Sequence, residues 1–131
     1  KAIPLGGDGW DLPGFAQLGG NHIHQAYYCT HWSRQVEREA SRYFVELHRQ
    51  DEEIRSPEAL GYDAALLLAD AMRRAGSADP VKVRDALAAT SGFEGVTGTI
   101  SFDAQGDPIK SAVIMEIKEG RERFHRSIIP D

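Results

Sequence analysis

The strongest pattern of apolar and polar positions runs from Ser56 to Gly76, where apolar residues recur every three or four positions. This spacing predicts one long α-helix. Ser56 suits the N-cap, Pro57 suits the first turn, and Gly76 can end the helix in the left-handed conformation. We expect the buried stripe to comprise Leu60, Ala64, Leu67, Leu68, Ala71 and Ala75. A helix this apolar needs a large partner surface, so the other elements should be organised around it.

One further helix is predicted before this long helix and one after it. The first begins at Ser33 and ends near Gln50, and its apolar positions are Val36, Ala40, Tyr43, Phe44 and Leu47. The second is capped by Asp79, opens at Pro80 and runs to about Thr90. Its inner face should consist of Val83, Ala86 and Leu87.

Strands are predicted where β-branched and aromatic residues cluster between turn residues. The predicted strands are Lys1 to Leu5, Gln25 to His31, Gly98 to Phe102, Ser111 to Lys118 and Arg123 to Ile129. Glu119 and Gly120 form a compact hairpin turn between the last two strands. The segment LPGFAQLGG predicts a short helix that Asp11 can cap.

Composition narrows the class of protein. The 131 residues are 41% apolar and 27% charged, which is typical of a folded globular chain. With 15 basic and 20 acidic residues the net charge is −5, and the absence of a Lys/Arg cluster argues against a nucleic-acid partner or an anionic membrane surface. The opening KAIPLGG has no leader pattern, and a start without Met suggests processing or a deliberate fragment.

Asp8 is the first candidate for function. It lies between glycines in the loop that follows the first predicted strand. Open α/β sheets place their ligand-contacting groups at such strand ends, and flanking glycines let the backbone approach a ligand closely. The alternative is a solvated turn aspartate with no binding role.

The histidines and the single cysteine give no clear chemical site. His22 and His24 would share one face of a strand, but no carboxylate or cysteine stands beside them at zinc-ligand spacing. Cys29 and His31 also share a face, yet no third group is placed to orient a thiolate, so Cys29 is best interpreted as a core residue. Without a triad or a metal motif we expect no enzyme activity and no cofactor.

Three longer segments resemble a known family. PLGGDGWD, LGYDAALLLADAMRRAGSADPVKVRDALAAT and FEGVTGTISFDAQGDPIKSAVIMEIKEG are similar to the C-terminal part of the Leu/Ile/Val-type substrate-binding proteins of branched-chain amino acid ABC transporters. The most specific match is the pattern G-V-T-G-x-I-x-F-D-x-x-G-D followed by a hairpin. NHIHQAYYCTHW departs from the family pattern, so the resemblance assigns no ligand contact to residues 21–33.

The resemblance implies an α/β fragment of a two-lobed type I periplasmic binding protein, with parallel sheets flanked by helices and crossovers between the lobes. Residues 1–30 would belong to lobe two, 31–108 to lobe one and 109–131 to lobe two again. An isolated piece of such a protein would either gather its strands into a common sheet or exchange elements with a second copy, and a homodimer is the favoured prediction.

The resemblance also implies a function, namely solute binding for an ABC importer of branched-chain or related amino acids. Its partners would be an amino acid or amide ligand and a membrane permease, and its location the periplasm or, as a lipoprotein, the cell surface. Asp8 matches the acidic residue that holds the ligand's ammonium, and Tyr62 matches an aromatic residue that lines the pocket or packs in the core. Trp10 would wall the pocket or pack beneath the loop. The alternative is a ligand-sensing regulatory protein of the same fold.

Overall fold

The computed structural model of the protein describes residues 2–51 and 53–130. The helices are α1 (Phe15–Leu18), α2 (Glu39–Leu47), α3 (Ser56–Ala75) and α4 (Pro80–Ala88). The strands are β1 (Leu5–Gly6), β2 (Gln25–Thr30), β3 (Phe93–Glu94), β4 (Thr99–Phe102), β5 (Pro108–Ile109), β6 (Ala112–Lys118) and β7 (Arg121–Ile128). The first strand was predicted over Lys1 to Leu5; Lys1 lies outside the described residues, residues 2–4 form no strand, and β1 overlaps the prediction only at Leu5.

One four-stranded sheet gathers the two ends of the chain in the order β1-β2-β6-β7. One of the two predicted alternatives placed the strands at Lys1 to Leu5, Gln25 to His31, Ser111 to Lys118 and Arg123 to Ile129 in a common sheet, and β1, β2, β6 and β7 form such a sheet within one molecule. The buried residues of this sheet and the adjoining α1 form a first core of Ala16, Ala26, Tyr28, Val113, Met115 and Ile117. A smaller sheet, β3-β4-β5, lies between α4 and β6 along the chain.

The fold class expected from the resemblance is confirmed, but the pairing is mostly antiparallel in the described part of the chain. Only β1 and β2 run parallel there. The hairpin β6–β7 turns through Glu119 and Gly120, whose φ angles are 52° and 72°. A two-residue turn with both φ positive joins antiparallel strands, which fixes the direction of β7.

Helix α3 forms as predicted and ends at Gly76 in the left-handed conformation. The N-cap is Arg55 rather than Ser56, because the Glu58 carboxylate accepts a hydrogen bond from the Arg55 backbone N–H at 3.0 Å. Ser56 is the first helical residue, and its hydroxyl is used elsewhere.

The buried stripe of α3 agrees with the predicted one at Leu67 and Ala71 and differs at its other members. Its buried members are Ser56, Ala59, Asp63, Leu67 and Ala71, whereas Ala64 and Leu68 are exposed. The helix carries two adjacent apolar stripes, and periodicity alone cannot say which one the chain covers. The loop at 95–97 closes over Asp63 and so selects the stripe that contains it.

The loop at residues 95–97 explains why the sequence motif most specific to the family begins with Gly95. The Asp63 carboxylate is buried and accepts hydrogen bonds from the backbone N–H groups of Val96 and Thr97, at 2.7 and 2.8 Å. A side chain on Gly95 would place its Cβ 2.7 Å from an Asp63 oxygen. Glycine is therefore required there for the backbone to wrap the carboxylate.

Helix α2 is shorter than predicted. It begins at Glu39, not Ser33, because Arg38 is extended and the Ser33 hydroxyl accepts the N–H of Gln35 in a local turn. Tyr43 and Leu47 are exposed rather than inward-facing, while Phe44 is fully buried. Helix α4 agrees with its prediction, since Asp79 accepts hydrogen bonds from the N–H groups of Val81 and Lys82.

Residues 31–38 lead from β2 to α2, and residues 110–111 lead from β5 of the smaller sheet to β6. The buried side chains around the first of these connections form a second core of Trp32, Phe44, Ile54, Ala59 and Val96. The indole N–H of Trp32 donates to the buried hydroxyl of Ser41 at 2.9 Å, which anchors the connection to α2. In the described part of the chain no helix combines the length and apolar character that crossing a bilayer requires.

Candidate ligand-binding site at the strand ends

The site begins where β1 ends. Asp8 opens a single 3-10 turn, Asp8–Trp10, and its side chain is 71% exposed. Because β1 and β2 are parallel, the residues that follow both strands lie at the same edge of the sheet. The carboxylate of Asp8 is therefore presented at a strand end, as the sequence predicted.

His31 directly follows β2 and meets Asp8 at this edge. Its Nε2 lies 3.5 Å from Oδ2 of Asp8. Sequence analysis assigned no role to His31, although its position one residue after a strand that is parallel to β1 was the signal that could have placed it there. The His31 side chain is 46% exposed and that of Asp8 is more exposed still, so both side chains are accessible to a ligand.

The start of α3 is tied to the same edge. The backbone N–H of His31 donates to the Ser56 hydroxyl at 3.2 Å, and the ammonium of Lys110 donates to the His31 carbonyl at 3.4 Å. His31 thus contacts the first turn of α3 through Ser56, and it contacts the segment between β5 and β6 through Lys110. These contacts position α3 relative to the Asp8 loop.

Trp10 packs against residues on both sides of the Asp8 loop. Its ring stacks on Phe15 with centroids 5.0 Å apart, and a side chain on Gly6 would collide with the Trp10 ring. This close approach gives Trp10 the packing role that was one of its two predicted roles. The binding role remains a prediction.

Tyr62 lies in the second core. It is half-buried, and its ring centroid is 5.1 Å from that of Phe44. Among the described residues, its ring contact is with this aromatic cluster and not with the Asp8 loop. The structure therefore brings Asp8 and His31 together and leaves Tyr62 on the neighbouring helix.

Asp11 does not cap α1, contrary to the prediction. Gly14 occupies the N-cap in a left-handed conformation and no side chain caps the helix. Asp11 is instead 7% exposed and accepts hydrogen bonds from the Thr30 hydroxyl at 2.7 Å and from Arg55 at 3.1 Å. Arg55 also donates to Glu122 at 3.0 Å, so one guanidinium joins two carboxylates from separate elements.

Arg55, Asp11, Glu122 and Tyr28 form one buried polar cluster, and its charges shift the pKa values of Arg55 and Tyr28. Burial alone would lower the pKa of Arg55, but its hydrogen bond to Asp11 and the charge of Glu122 raise it above the usual value. Burial raises the pKa of Tyr28, and the negative charges of Glu122 and Asp11 raise it further. The cluster thus holds a charged guanidinium beside a neutral phenol.

The remaining candidates do not form a site. Cys29 is exposed rather than a core residue, because β2 alternates and its even-numbered neighbours face the core. His22 and His24 are also exposed. No group of histidine, cysteine and carboxylate side chains that could hold a metal ion occurs in residues 2–51 and 53–130.

Comparison with known proteins places this arrangement in a family. Residues 1–122 match the family described as periplasmic binding protein. The Leu/Ile/Val-binding protein homolog 2 of Brucella abortus (strain 2308) is 40% identical over 70 residues, which cover 50% of this chain and 19% of that protein.

Two solved structures extend the match over nearly the whole chain. A leucine-binding protein from Thermotoga maritima superposes with a TM-score of 0.85 at 35% identity, covering 96% of this chain and 37% of that one. The branched-chain amino acid transporter substrate-binding protein of Streptococcus pneumoniae, in complex with isoleucine, gives a TM-score of 0.80 at 29% identity, covering 99% of this chain and 38% of that one.

The chain therefore belongs to the periplasmic binding protein family, as its sequence motifs predicted. Its relatives include Leu/Ile/Val-binding proteins of ABC transporters. The chain spans 19% of the length of the curated relative and 37–38% of the length of the two solved ones.

Proposed function

We propose that the protein is the substrate-binding component of an ABC importer for branched-chain or related amino acids. It acts outside the cytoplasm, in the periplasm or as a cell-surface lipoprotein, and delivers its ligand to a membrane permease. It performs no chemistry on the ligand. Family membership and the names of the two solved relatives, one a leucine-binding protein and one bound to isoleucine, support this proposal.

The carboxylate of Asp8 is the observation that carries the proposal. An amino acid's ammonium needs an anionic partner, because an unpaired charge in a closed cleft is costly. The Asp8 carboxylate contacts the imidazole of His31, with Nε2 3.5 Å from Oδ2, and its side chain is 71% exposed. Asp8 thus retains the acceptor capacity to receive an ammonium group.

We propose the two-lobed division on the same basis. Residues 1–30 and 109–131 form part of lobe two, and residues 31–108 form part of lobe one. The shared sheet of β1, β2, β6 and β7 supports the grouping of the chain ends. In this arrangement Tyr62 on α3 approaches the ligand from lobe one, and Trp10 fixes the loop that presents Asp8.

Calorimetric titration of the full-length gene product with leucine and isoleucine tests the function. Asp8→Asn should weaken binding by several kcal/mol, as for truncation of one side of a buried charge pair. Asp85→Asn, on the exposed surface of α4, is the control and should leave the affinity unchanged. Equal affinities for the wild type and Asp8→Asn would reduce Asp8 to a turn residue.

We also propose that the 131-residue chain by itself forms a homodimer. Its exposed apolar side chains include Leu66, Leu68 and Met72 on α3 and Val81 on α4, and a second copy would cover part of this apolar area. Light scattering after size exclusion should give twice the monomer mass. A monodisperse monomer would contradict this proposal.

A further inference from the structure

The backbone of His31 holds its side chain beside the carboxylate that is proposed to bind the ligand's ammonium. The His31 N–H donates to the Ser56 hydroxyl at 3.2 Å, and the His31 carbonyl accepts from the Lys110 ammonium at 3.4 Å. Both contacts use main-chain atoms, and the imidazole faces Asp8 with Nε2 3.5 Å from Oδ2. A substitution at residue 31 therefore changes the side chain and keeps the contacts that position this segment.

The charge of the imidazole decides the nature of its contact with Asp8. At 3.5 Å a neutral imidazole makes at most a long, weak hydrogen bond to a carboxylate, whereas a protonated imidazole forms an ion pair at this distance. Histidine is the side chain whose charge ordinarily changes between about pH 5 and about pH 8, and aspartate is ordinarily ionised throughout that range. The gain of one proton therefore converts a weak polar contact into an ion pair.

A protonated imidazole and the ammonium of an amino acid compete for the same carboxylate. The imidazolium occupies one acceptor position of Asp8, and its positive charge repels a second cation placed within about 4 Å of it. Cleft closure around a ligand removes water, which strengthens this repulsion because the local dielectric constant falls. Protonation of His31 and binding of the ammonium therefore oppose each other.

The other charged groups around His31 leave the sign of this effect unchanged. Lys110 adds positive charge at the carbonyl side of His31, although burial lowers the pKa of its ammonium. Arg38 is paired with Glu94, and the contact from α3 is made by the uncharged Ser56 hydroxyl. The charged side chains that face His31 or share a cavity wall with it are Asp8, Glu37, Arg38 and Lys110.

We propose that His31 is a further residue of the amino-acid site and controls access to Asp8 by its own charge. Protonated His31 pairs with Asp8 and excludes the ligand's ammonium, whereas neutral His31 leaves the carboxylate to the ligand. The affinity for an amino acid therefore falls as the medium is acidified. This inference rests on the proposed function. His31 lies in the segment that departs from the family pattern, so the resemblance does not supply this role.

The test is a calorimetric titration of the full-length gene product with leucine and isoleucine between about pH 8 and about pH 5. Wild-type affinity should fall at least about fivefold over this range, the lower end of typical coupling between two sites. His31→Gln gains no charge and should keep its affinity throughout, whereas His31→Lys carries a charge throughout and should bind weakly at every pH. His24→Gln is the matched control, because His24 is exposed and precedes β2 at the end opposite His31, and it should retain the wild-type decline.

Three outcomes would overturn the inference. A wild-type affinity that does not change with pH would overturn it and leave the proposed function intact. A decline that persists in His31→Gln would assign the pH dependence to another group. No binding of either amino acid at any pH would contradict the proposed function and, with it, this inference. Circular dichroism at both ends of the range checks that each chain is folded, and His31→Asn replaces His31→Gln if that variant is not.

Discussion

The guanidinium of Arg55 and the carboxylate of Asp11 lie 3.1 Å apart and join the start of α3 to the loop that follows β1. Asp11 comes three residues after Asp8, so this ion pair also fixes the segment that presents the proposed ligand contact. Both side chains are largely removed from water. Their attraction is therefore less screened than that of a surface pair.

Removing one partner of this ion pair should destabilise the fold. Arg55→Met leaves Asp11 and Glu122 buried without a cation, and loss of one side of such a pair costs about 3 kcal/mol or more. Urea denaturation measures the free energy of unfolding. Arg49→Met, which breaks an exposed pair with Glu46, is the control and should change little. Equal effects of the two substitutions would mean that the buried pair contributes no more than a surface one.

Tyr28 should make stability depend on alkaline pH. Its pKa is raised in the folded state, so its contribution is fully present below about pH 10, the ordinary value for tyrosine, and is lost as the pH rises further. The free energy of unfolding should fall by at most about 1.4 kcal/mol per pH unit from this group. Denaturation curves of wild type and Tyr28→Phe, measured from about pH 9 to about pH 11 so that they span the ordinary tyrosine pKa, give the difference. Parallel pH profiles would contradict the prediction.

Substitution of two neighbouring leucines tests which face of α3 is buried. Leu67 is 8% exposed and Leu68 is 47% exposed. Leu67→Ala should destabilise the chain by roughly 2–5 kcal/mol because it removes buried contacts and leaves a cavity. Leu68→Ala should cost much less. A reversed order in urea denaturation would show that Leu68, and not Leu67, is the buried leucine.

The loop around Asp63 should not tolerate a side chain at residue 95. Gly95→Ala would place a Cβ against the Asp63 carboxylate and break its hydrogen bonds to the loop, at an expected cost of about 1–3 kcal/mol. Gly61→Ala is the matched control, since nothing lies within 4 Å of its Cβ and alanine favours the interior of α3 by about 0.5–1 kcal/mol. Thermal unfolding should therefore shift down for one variant and up for the other. A neutral Gly95→Ala would mean that the loop does not depend on the close approach.

Local sequence signals predicted several elements correctly because the forces that form them are local. Pro80 after Asp79 sets the start of α4, Gly76 sets the end of α3, and Glu119-Gly120 sets the turn between β6 and β7. The family motif around Gly95 also identified the fold. Asp8 could be singled out because a lone acid between glycines at a strand end is visible without knowing its neighbours.

The tertiary structure decided what depends on distant partners. Asp11 looked like a helix cap, yet Arg55, 44 residues away, takes its carboxylate. Leu68 and Leu67 have the same hydrophobic character, and only the packing of the loop at residues 95–97 over Asp63 determines which one is buried. The contact of His31 with Asp8 likewise arises because β1 and β2 are parallel neighbours. The sequence by itself determined the family, the end of α3 and the start of α4, because caps, turns and periodicity act over a few residues. Strand pairing and burial decided which residues meet at the candidate site, because they bring together residues far apart in the chain.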